Sequence, residues 1–298
     1  MIEKWQLQQR MGQPLDIKIQ MSLARIKAWY DHYDGEVYIS YSGGLDSSVL
    51  LHLIRSVYPD VPAATAHELM YPEILEHVKA TENVTIFRPR KTFNEVVQRY
   101  GYPVVSKKVA MGISRYRNTM SEAQRQLRLH GGTNPTSGKK QHPSIPMKWH
   151  YLVNAPFQIS ERCCDILKKE PLHRAGKILG HPFIGTRSSE GWVRQMDYLK
   201  HGCNAFDKAI PESRPLAFWT SDDIWEYVHR YNVPYSRIYD MGYHRTGCFA
   251  CMFGVHLEDE PNRFQLMQKT HPGLWRYCQR IGIPEVLDYI GVNYKWTW

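Results

Sequence analysis

The sequence predicts an α/β protein: a twisted parallel sheet with helices on both faces, followed by a mainly helical C-terminal portion. Three observations predict it. Strand-length apolar runs alternate with helix-length segments, the pattern of parallel strands joined by helical crossovers. Residues 37–54, VYISYSGGLDSSVLLHLI, read as a buried strand, a glycine turn and a helix that starts near Asp46. With 298 residues, 43% of them hydrophobic, the chain can build one large α/β domain or a domain with a small appendage.

The elements follow in order. Leu15 to His32 reads as a helix on apolar Ile17, Ile19, Met21, Leu23, Ile26 and Trp29. Val37, Ile39 and Tyr41 mark the first strand, and Gly43 and Gly44 the turn after it. A second strand is expected at Ala63–Ala66, then a helix opened by Pro72, then a short strand Val84–Phe87. Thr92 caps a helix through Arg99, and a basic helical stretch lies between Ser106 and His130. Gly131 to Pro146 is a loop on composition. Cys163 to Leu179 reads as a helix, Pro182 to Thr186 as a strand, and Leu216 to Trp219 as the last strand. From Thr220 onward the chain reads as mostly helical, with a cysteine-bearing turn at Gly247–Cys251. The expected division is an N-terminal helical arm, 1–32; a nucleotide-binding α/β domain, 33–219, containing the basic helix and flexible loop 106–150; and a helical subdomain, 220–298.

No apolar run approaches the roughly 18 residues that cross a membrane, and the N-terminus lacks the apolar core of a signal peptide. A cytoplasmic protein with no membrane partner is expected. The net charge is +9, and Ser106–His150 holds nine Lys and Arg against Glu122 alone. Such a concentration fits a polyanionic partner, a solvated helix face or a basic lid over phosphates. In a reducing compartment the six cysteines point to metal or redox chemistry before disulfides.

Two features carry chemistry. The turn Ser42–Ser48 combines glycine backbone N–H groups, the hydroxyls of Ser47 and Ser48, and a helix N-terminus, which is what a phosphate requires. It is not the lysine-bearing P-loop. Cys248-Phe-Ala-Cys251 is a C-x-x-C, and Cys163-Cys164 is an adjacent pair far upstream. Together they supply four thiolates, enough for a [4Fe–4S] cluster; zinc is the lesser possibility, and each cysteine alone is also a small buried hydrophobe.

Ser42-Gly43-Gly44-Leu45-Asp46-Ser47 resembles the SGGxDS pyrophosphate loop of the PP-loop ATP pyrophosphatase (adenine nucleotide alpha-hydrolase-like) superfamily. Cys163-Cys164 with Lys168 and Glu170-Pro171-Leu172 resembles the CC…K…EPL segment of iron–sulfur sulfonucleotide reductases. Gly185-Thr-Arg187-Ser-Ser-Glu190 with Arg194 resembles their GxRxxES…R element, with Gly191 where a serine is usual. Arg214-Pro215-Leu216…Trp219…Asp223-Ile224-Trp225-Glu-Tyr227 and Tyr239…Gly242…Arg245-Thr-Gly247-Cys248-x-x-Cys251 complete the set. The resemblance, from about Val37 to Gly254, is to the phosphoadenosine phosphosulfate (PAPS) reductase-like family. It implies a cluster on Cys163, Cys164, Cys248 and Cys251.

Two departures from the reductases shape the functional expectation. The pyrophosphate loop is intact where theirs is loosened, and the reductases' ECG-type cysteine motif is not among these residues. The expectation is therefore similarity to the DndC/SspD-type component of DNA phosphorothioation. On this reading the chain is an ATP pyrophosphatase that cleaves ATP between α and β, activating a nucleic acid, DNA before tRNA, for sulfur insertion. ATP, Mg²⁺ and the cluster are the expected cofactors. A cysteine desulfurase or other sulfur donor, and a homodimer or larger complex, are the expected partners. Ser40, Ser42, Gly43, Gly44, Leu45, Asp46, Ser47, Ser48, His67, Gly185 and Arg187 are expected at ATP. Asp46, Lys168, Arg187 and Arg194 are the candidate catalytic residues. Lys107, Lys108, Arg115, Arg117, Arg125 and Arg128 are expected at nucleic-acid phosphates. The alternatives are a sulfonucleotide (APS or PAPS) reductase that takes its thiol from elsewhere, and a non-catalytic, nucleotide-regulated DNA-binding subunit.

Overall fold

The computed structural model describes residues 2–134, 137–244 and 246–296. The chain forms two compact units that interleave along the sequence. The first comprises Met1–His67, Tyr71–Arg88 and Glu170–Tyr239; the second comprises Glu68–Met70, Pro89–Lys169 and Asp240–Trp298.

The first unit begins with helices α1 (Lys4–Met11) and α2 (Leu15–His32), the latter spanning the predicted residues. Strand β1 (Val37–Ser40) leads through the glycine turn into α3 (Leu45–Arg55), and β2 (Ala63–Ala66) into α4 (Pro72–Ala80), with proline at the start of that helix. Strand β3 (Val84–Phe87) follows. Among the described residues these strands join a six-stranded sheet in the order β3, β2, β1, His181–Ile184, Glu212–Ser213, Asn204–Ala205. All neighbours are parallel except the last pair. Ile39 pairs with Ala63 on one side and Phe183 on the other, and all three are fully buried. Burial on both faces is the mark of a covered parallel sheet. Tyr38, Ala64 and Ala175 form one packed cluster, so helix Glu170–Leu179 covers one face.

Strand order runs outward in one direction from β1 and in the other from His181–Ile184. That reversal is the switch point at which open α/β sheets bind ligands, beyond the C-terminal strand ends. The turn after β1 and the segment after Ile184 both start there.

Three sequence expectations are corrected in this unit and at its border. Leu216–Trp219 is a buried turn, not a strand: Trp219 N–H donates to the Leu216 carbonyl (3.0 Å), and the sheet strand is Glu212–Ser213. The strand predicted at Pro182–Thr186 runs His181–Ile184. The helix predicted from Cys163 to Leu179 is broken by a π-helical turn at Asp165–Lys169. Pro171 explains the break, because it has no N–H to offer the Leu167 carbonyl and its ring crowds that turn.

The second unit is mostly helical. Thr92 caps helix Phe93–Tyr100 through a hydroxyl that accepts from the Glu95 N–H. The basic stretch is two helices, Lys107–Asn118 and Glu122–His130, capped by Ser106 and Ser121. The loop expected at 131–146 carries a short hairpin, Gly132–Thr133 with Lys140–Gln141, while 135 and 136 lie outside the described residues. Val104–Val105 pairs in parallel with Met252–Phe253. Helices Arg263–Thr270, Pro272–Arg280 and Ile283–Tyr289 complete the unit, with Phe264, Met267, Cys278 and Ile283 in its core. Among the described residues no helix is long and apolar enough to cross a membrane.

Candidate functional site

In the first unit, Gly43 adopts φ +71°, and a Cβ there would lie 2.7 Å from Val78 Cγ2. Glycine is thus required both for the turn and for its contact with α4. Gly185 is favoured for a different reason: a Cβ would crowd the Asp46 carbonyl at 3.1 Å and Ser47 Cα at 3.2 Å. The segment after His181–Ile184 therefore lies directly against the start of α3.

The loop is knitted by its own hydrogen bonds. Ser42 N–H donates to Ser47 Oγ (3.2 Å), and Gly44 N–H donates to Ser42 Oγ (3.3 Å). The hydroxyls of Ser47 and Ser48 both donate to the Gly44 carbonyl, at 2.8 and 3.2 Å. Leu45 N–H, at the first position of α3, donates to Tyr239 Oη (2.7 Å). Ser48 Oγ also meets His77 Nε2 (3.1 Å), and Tyr41 Oη meets Thr81 Oγ1 (3.2 Å). Burial lowers the His77 pKa, favouring a neutral ring beside Ser48.

Asp46, a candidate catalytic residue, is ion-paired with Arg187 (Oδ1–Nε 2.6 Å). Its pKa is raised by desolvation, which outweighs the opposing pull of Arg187 and Arg194. Arg187 is further held by Ser221 (3.1 Å), and its N–H donates to Glu190 (2.9 Å). Arg194 pairs with Glu190. Ser40 ends β1; His67 follows β2 and its N–H donates to the Phe87 carbonyl (3.1 Å). The expected nucleotide residues Ser42–Ser48, Gly185 and Arg187 are thus brought together. Tyr239 and His77, to which the sequence reading gave no role, join them. Tyr239 stood in a matched motif; nothing in the sequence marked His77.

In the second unit, Cys163, Cys164, Cys248 and Cys251 interact electrostatically, and all are free thiols. The Cys163–Cys164 hydrogen bond, then burial and the neighbouring thiols, push the Cys163 pKa up. The same hydrogen bond pulls Cys164 down to about 6, helped by the positive charges of Lys107 and Lys168. Desolvation pushes Cys251 up to about 11. Lys168 is exposed to solvent, with the thiols of Cys248, Cys164 and Cys251 near it. The negative charge of Cys248, and then of Cys164 and Cys251, raises its pKa against the cost of desolvation. Among the described residues no three or more His, Cys, Asp or Glu converge in the geometry of a single metal ion. The matched residue Arg245 lies outside the described residues.

The basic residues divide. Lys108 and Arg115 are exposed, and Arg125 and Arg128 half-buried. Lys107, exposed, hydrogen-bonds the Cys164 thiol. The Arg117 guanidinium donates to the carbonyls of Leu152 (2.9 Å), Val153 (3.0 Å), Ala155 (2.8 Å) and Phe157 (2.6 Å). It fastens the Met147–Asn154 3₁₀ segment and its C-terminal end to the Lys107–Asn118 helix.

A phosphoadenosine phosphosulfate reductase domain matches residues 36–253. The adenosine 5'-phosphosulfate reductase of Anoxybacillus flavithermus is 24% identical over 91% of this chain and 97% of its own length. Adenosine 5'-phosphosulfate reductase 1 of Bacillus subtilis is 26% identical over 88% of this chain and 93% of its own. The crystal structure of PAPS reductase from Candida auris, a phosphate complex, aligns with TM-score 0.45 and 16% identity over 83% of this chain and 96% of that one. The two adenosine 5'-phosphosulfate reductases correct the expectation of an ATP pyrophosphatase that prepares DNA for sulfur insertion. Proteins matched over nearly their whole length are named as sulfonucleotide reductases, the reading held above as an alternative. With the domain match spanning most of its length, the chain belongs to the phosphoadenosine phosphosulfate reductase domain family.

Proposed function

We propose that this chain is a sulfonucleotide reductase acting on adenosine 5'-phosphosulfate (APS). The observation that carries the reading is the near full-length match to relatives of that name. The chemistry requires a thiolate to attack the sulfur of the phosphosulfate. A sulfur–sulfur bond forms, the bond from sulfur to the bridging oxygen breaks, and AMP leaves with the electron pair. A second thiol attacks the thiosulfonate, a disulfide forms and sulfite departs. Two thiols are oxidised to one disulfide, and the sulfonyl sulfur takes up the two electrons.

Both cysteines outside the four-thiol set are poorly suited to the first step. Burial raises Cys203 to about 11 and Cys278 to about 12, so neither is a thiolate near neutrality. The attacking thiol on this proposal is an external one.

The residues present fit an iron–sulfur cluster. Four thiols from two segments, flanked by the ammonium groups of Lys107 and Lys168, suit an anionic thiolate-bound group. A cluster spreads its ligands over several ångströms, whereas zinc draws four sulfurs to about 2.3 Å from one point. Cys163, Cys164, Cys248 and Cys251 would hold it, and when bound it would supply delocalised negative charge next to Lys168. The residues' own tasks follow from their positions. Arg187 and Arg194 neutralise nucleotide charge, and Lys168 holds an ammonium proton beside the thiols.

The test is sulfite and AMP release by the iron-loaded chain, anaerobically, from APS and from PAPS with an external dithiol. Sulfite from APS in preference to PAPS is expected. No sulfite from either nucleotide would remove the proposal.

A further inference from the structure

The intact pyrophosphate loop poses a question: in its superfamily this turn holds the β,γ-diphosphate of ATP, a group that APS does not have. The hydrogen bonds of the loop answer it. Three N–H groups of the turn already have partners: that of Ser42 in Ser47 Oγ, that of Gly44 in Ser42 Oγ and that of Leu45 in Tyr239 Oη. The phenol oxygen stands 2.7 Å from the Leu45 nitrogen, where an anion oxygen would sit at the N-terminus of α3.

The phenol is held there by design of its surroundings. The short 3₁₀ turn Arg237–Tyr239 is anchored by fully buried Ile238, and Arg237 lies 3.7 Å from Glu73 and 3.5 Å from Glu76 on α4. The Tyr239 ring meets Trp225 edge-on, centroids 6.0 Å apart at 89°, and Tyr235 at 6.3 Å. A polyphosphate oxygen must therefore displace a preorganised acceptor from Leu45. It must also approach Asp46, which lies beside the same N–H groups and is ion-paired with Arg187 (2.6 Å). The first cost falls only on a ligand that carries a phosphate into that seat, and the second rises with the charge brought there, so both fall on ATP rather than on a sulfonucleotide.

We infer that Tyr239 is a specificity-determining residue: its phenol fills the diphosphate seat of the loop and restricts the site to nucleotides without a β,γ-diphosphate. The inference deepens the sulfonucleotide reading and rests on it for the identity of the substrate, but not for the contact. It turns the intact SGGLDS sequence from an argument for ATP into a loop closed from within.

Calorimetric titration of the full chain with AMP, ATP and inorganic pyrophosphate tests it, on wild type and Tyr239→Phe, which keeps the ring and removes the acceptor. Wild type is expected to bind ATP no more tightly than AMP. Tyr239→Phe is expected to gain about tenfold or more for ATP and pyrophosphate while AMP changes by less than about threefold. Wild-type binding of ATP well above AMP, which needs no variant to fold, would overturn the inference, as would an unchanged ATP-to-AMP ratio in the variant. Sulfite release from APS is scored separately. A shifted ratio without sulfite removes the reductase reading and leaves the role of Tyr239; sulfite with an unshifted ratio does the reverse.

Discussion

The phosphate loop of the first unit and the four-thiol group of the second are opposite kinds of site. The loop is knitted from within: the N–H groups of Ser42, Gly44 and Leu45 and the Asp46 carboxylate already have partners in Ser47, Ser42, Tyr239 and Arg187. The thiols instead perturb one another, one pushed up and its neighbour pulled down to about 6, with Lys107 and Lys168 alongside. A contiguous motif such as SGGLDS specifies a backbone shape, and the same shape serves different ligands according to what fills it. A scattered donor set such as C-C with C-x-x-C specifies chemistry and says little about shape. The expected ATP pyrophosphatase leaned on that motif, and relatives named as adenosine 5'-phosphosulfate reductases correct it.

Removing one thiol is the strongest way to test the contrast. Cys248→Ser is expected to lose most of the iron taken up in anaerobic reconstitution, and sulfite release by more than about 100-fold, since it removes one of the four thiolates proposed to hold the cluster. Iron determination and the sulfite assay measure both; retained iron would separate Cys248 from the set.

The first unit should respond in stability rather than in iron. Lys18 and Asp223 form a buried pair (2.6 Å), and the carboxylate also accepts from the Thr220 N–H (2.6 Å) and hydroxyl (2.8 Å). Lys18→Met leaves that carboxylate without its cation, at a cost of about 3–5 kcal/mol in urea denaturation. Iron per folded chain should not change.

Lys168→Ala addresses the cation beside the thiols. Because the side chain is solvent-accessible, the stability change should stay below about 1 kcal/mol, while sulfite release falls about 100-fold. A large stability loss with full activity would make Lys168 structural.

The smallest effect is a pH dependence in the first unit. Burial lowers the pKa of both His52 and His77 from the ordinary 6.5. A depressed folded pKa means that the unfolded chain binds protons first. The stability these residues contribute is therefore complete above about pH 6.5 and is lost as pH falls through their folded values. Denaturation midpoints at pH 7 and pH 5 should show the decline, and His77→Gln should reduce it.

Much of the first unit was legible because local chemistry dictates it. Gly43 fixes the turn after β1 and Pro72 opens α4, and in the second unit Thr92 caps its helix in the same way, each by a reason contained within a few residues. Leu216–Trp219 was not legible, because a short apolar run reads alike as a strand or a buried turn. What decides it is remote: the Trp219 indole N–H donates to Ser22 Oγ (2.9 Å), nearly two hundred residues away. The π-helical turn at Asp165–Lys169 had a local signal in Pro171 that a helical period alone passes over. In the site, the four cysteines and Lys168 were legible as a motif set, but Tyr239 on Leu45 and Lys107 on Cys164 join residues far apart in the chain.

The most direct measurement is competition: the iron-loaded chain, held anaerobically with an external dithiol, offered APS and Mg–ATP together, with all products quantified. Sulfite and AMP in equal amounts, with ATP intact, is the predicted result. Pyrophosphate from ATP, with APS untouched, would contradict the account.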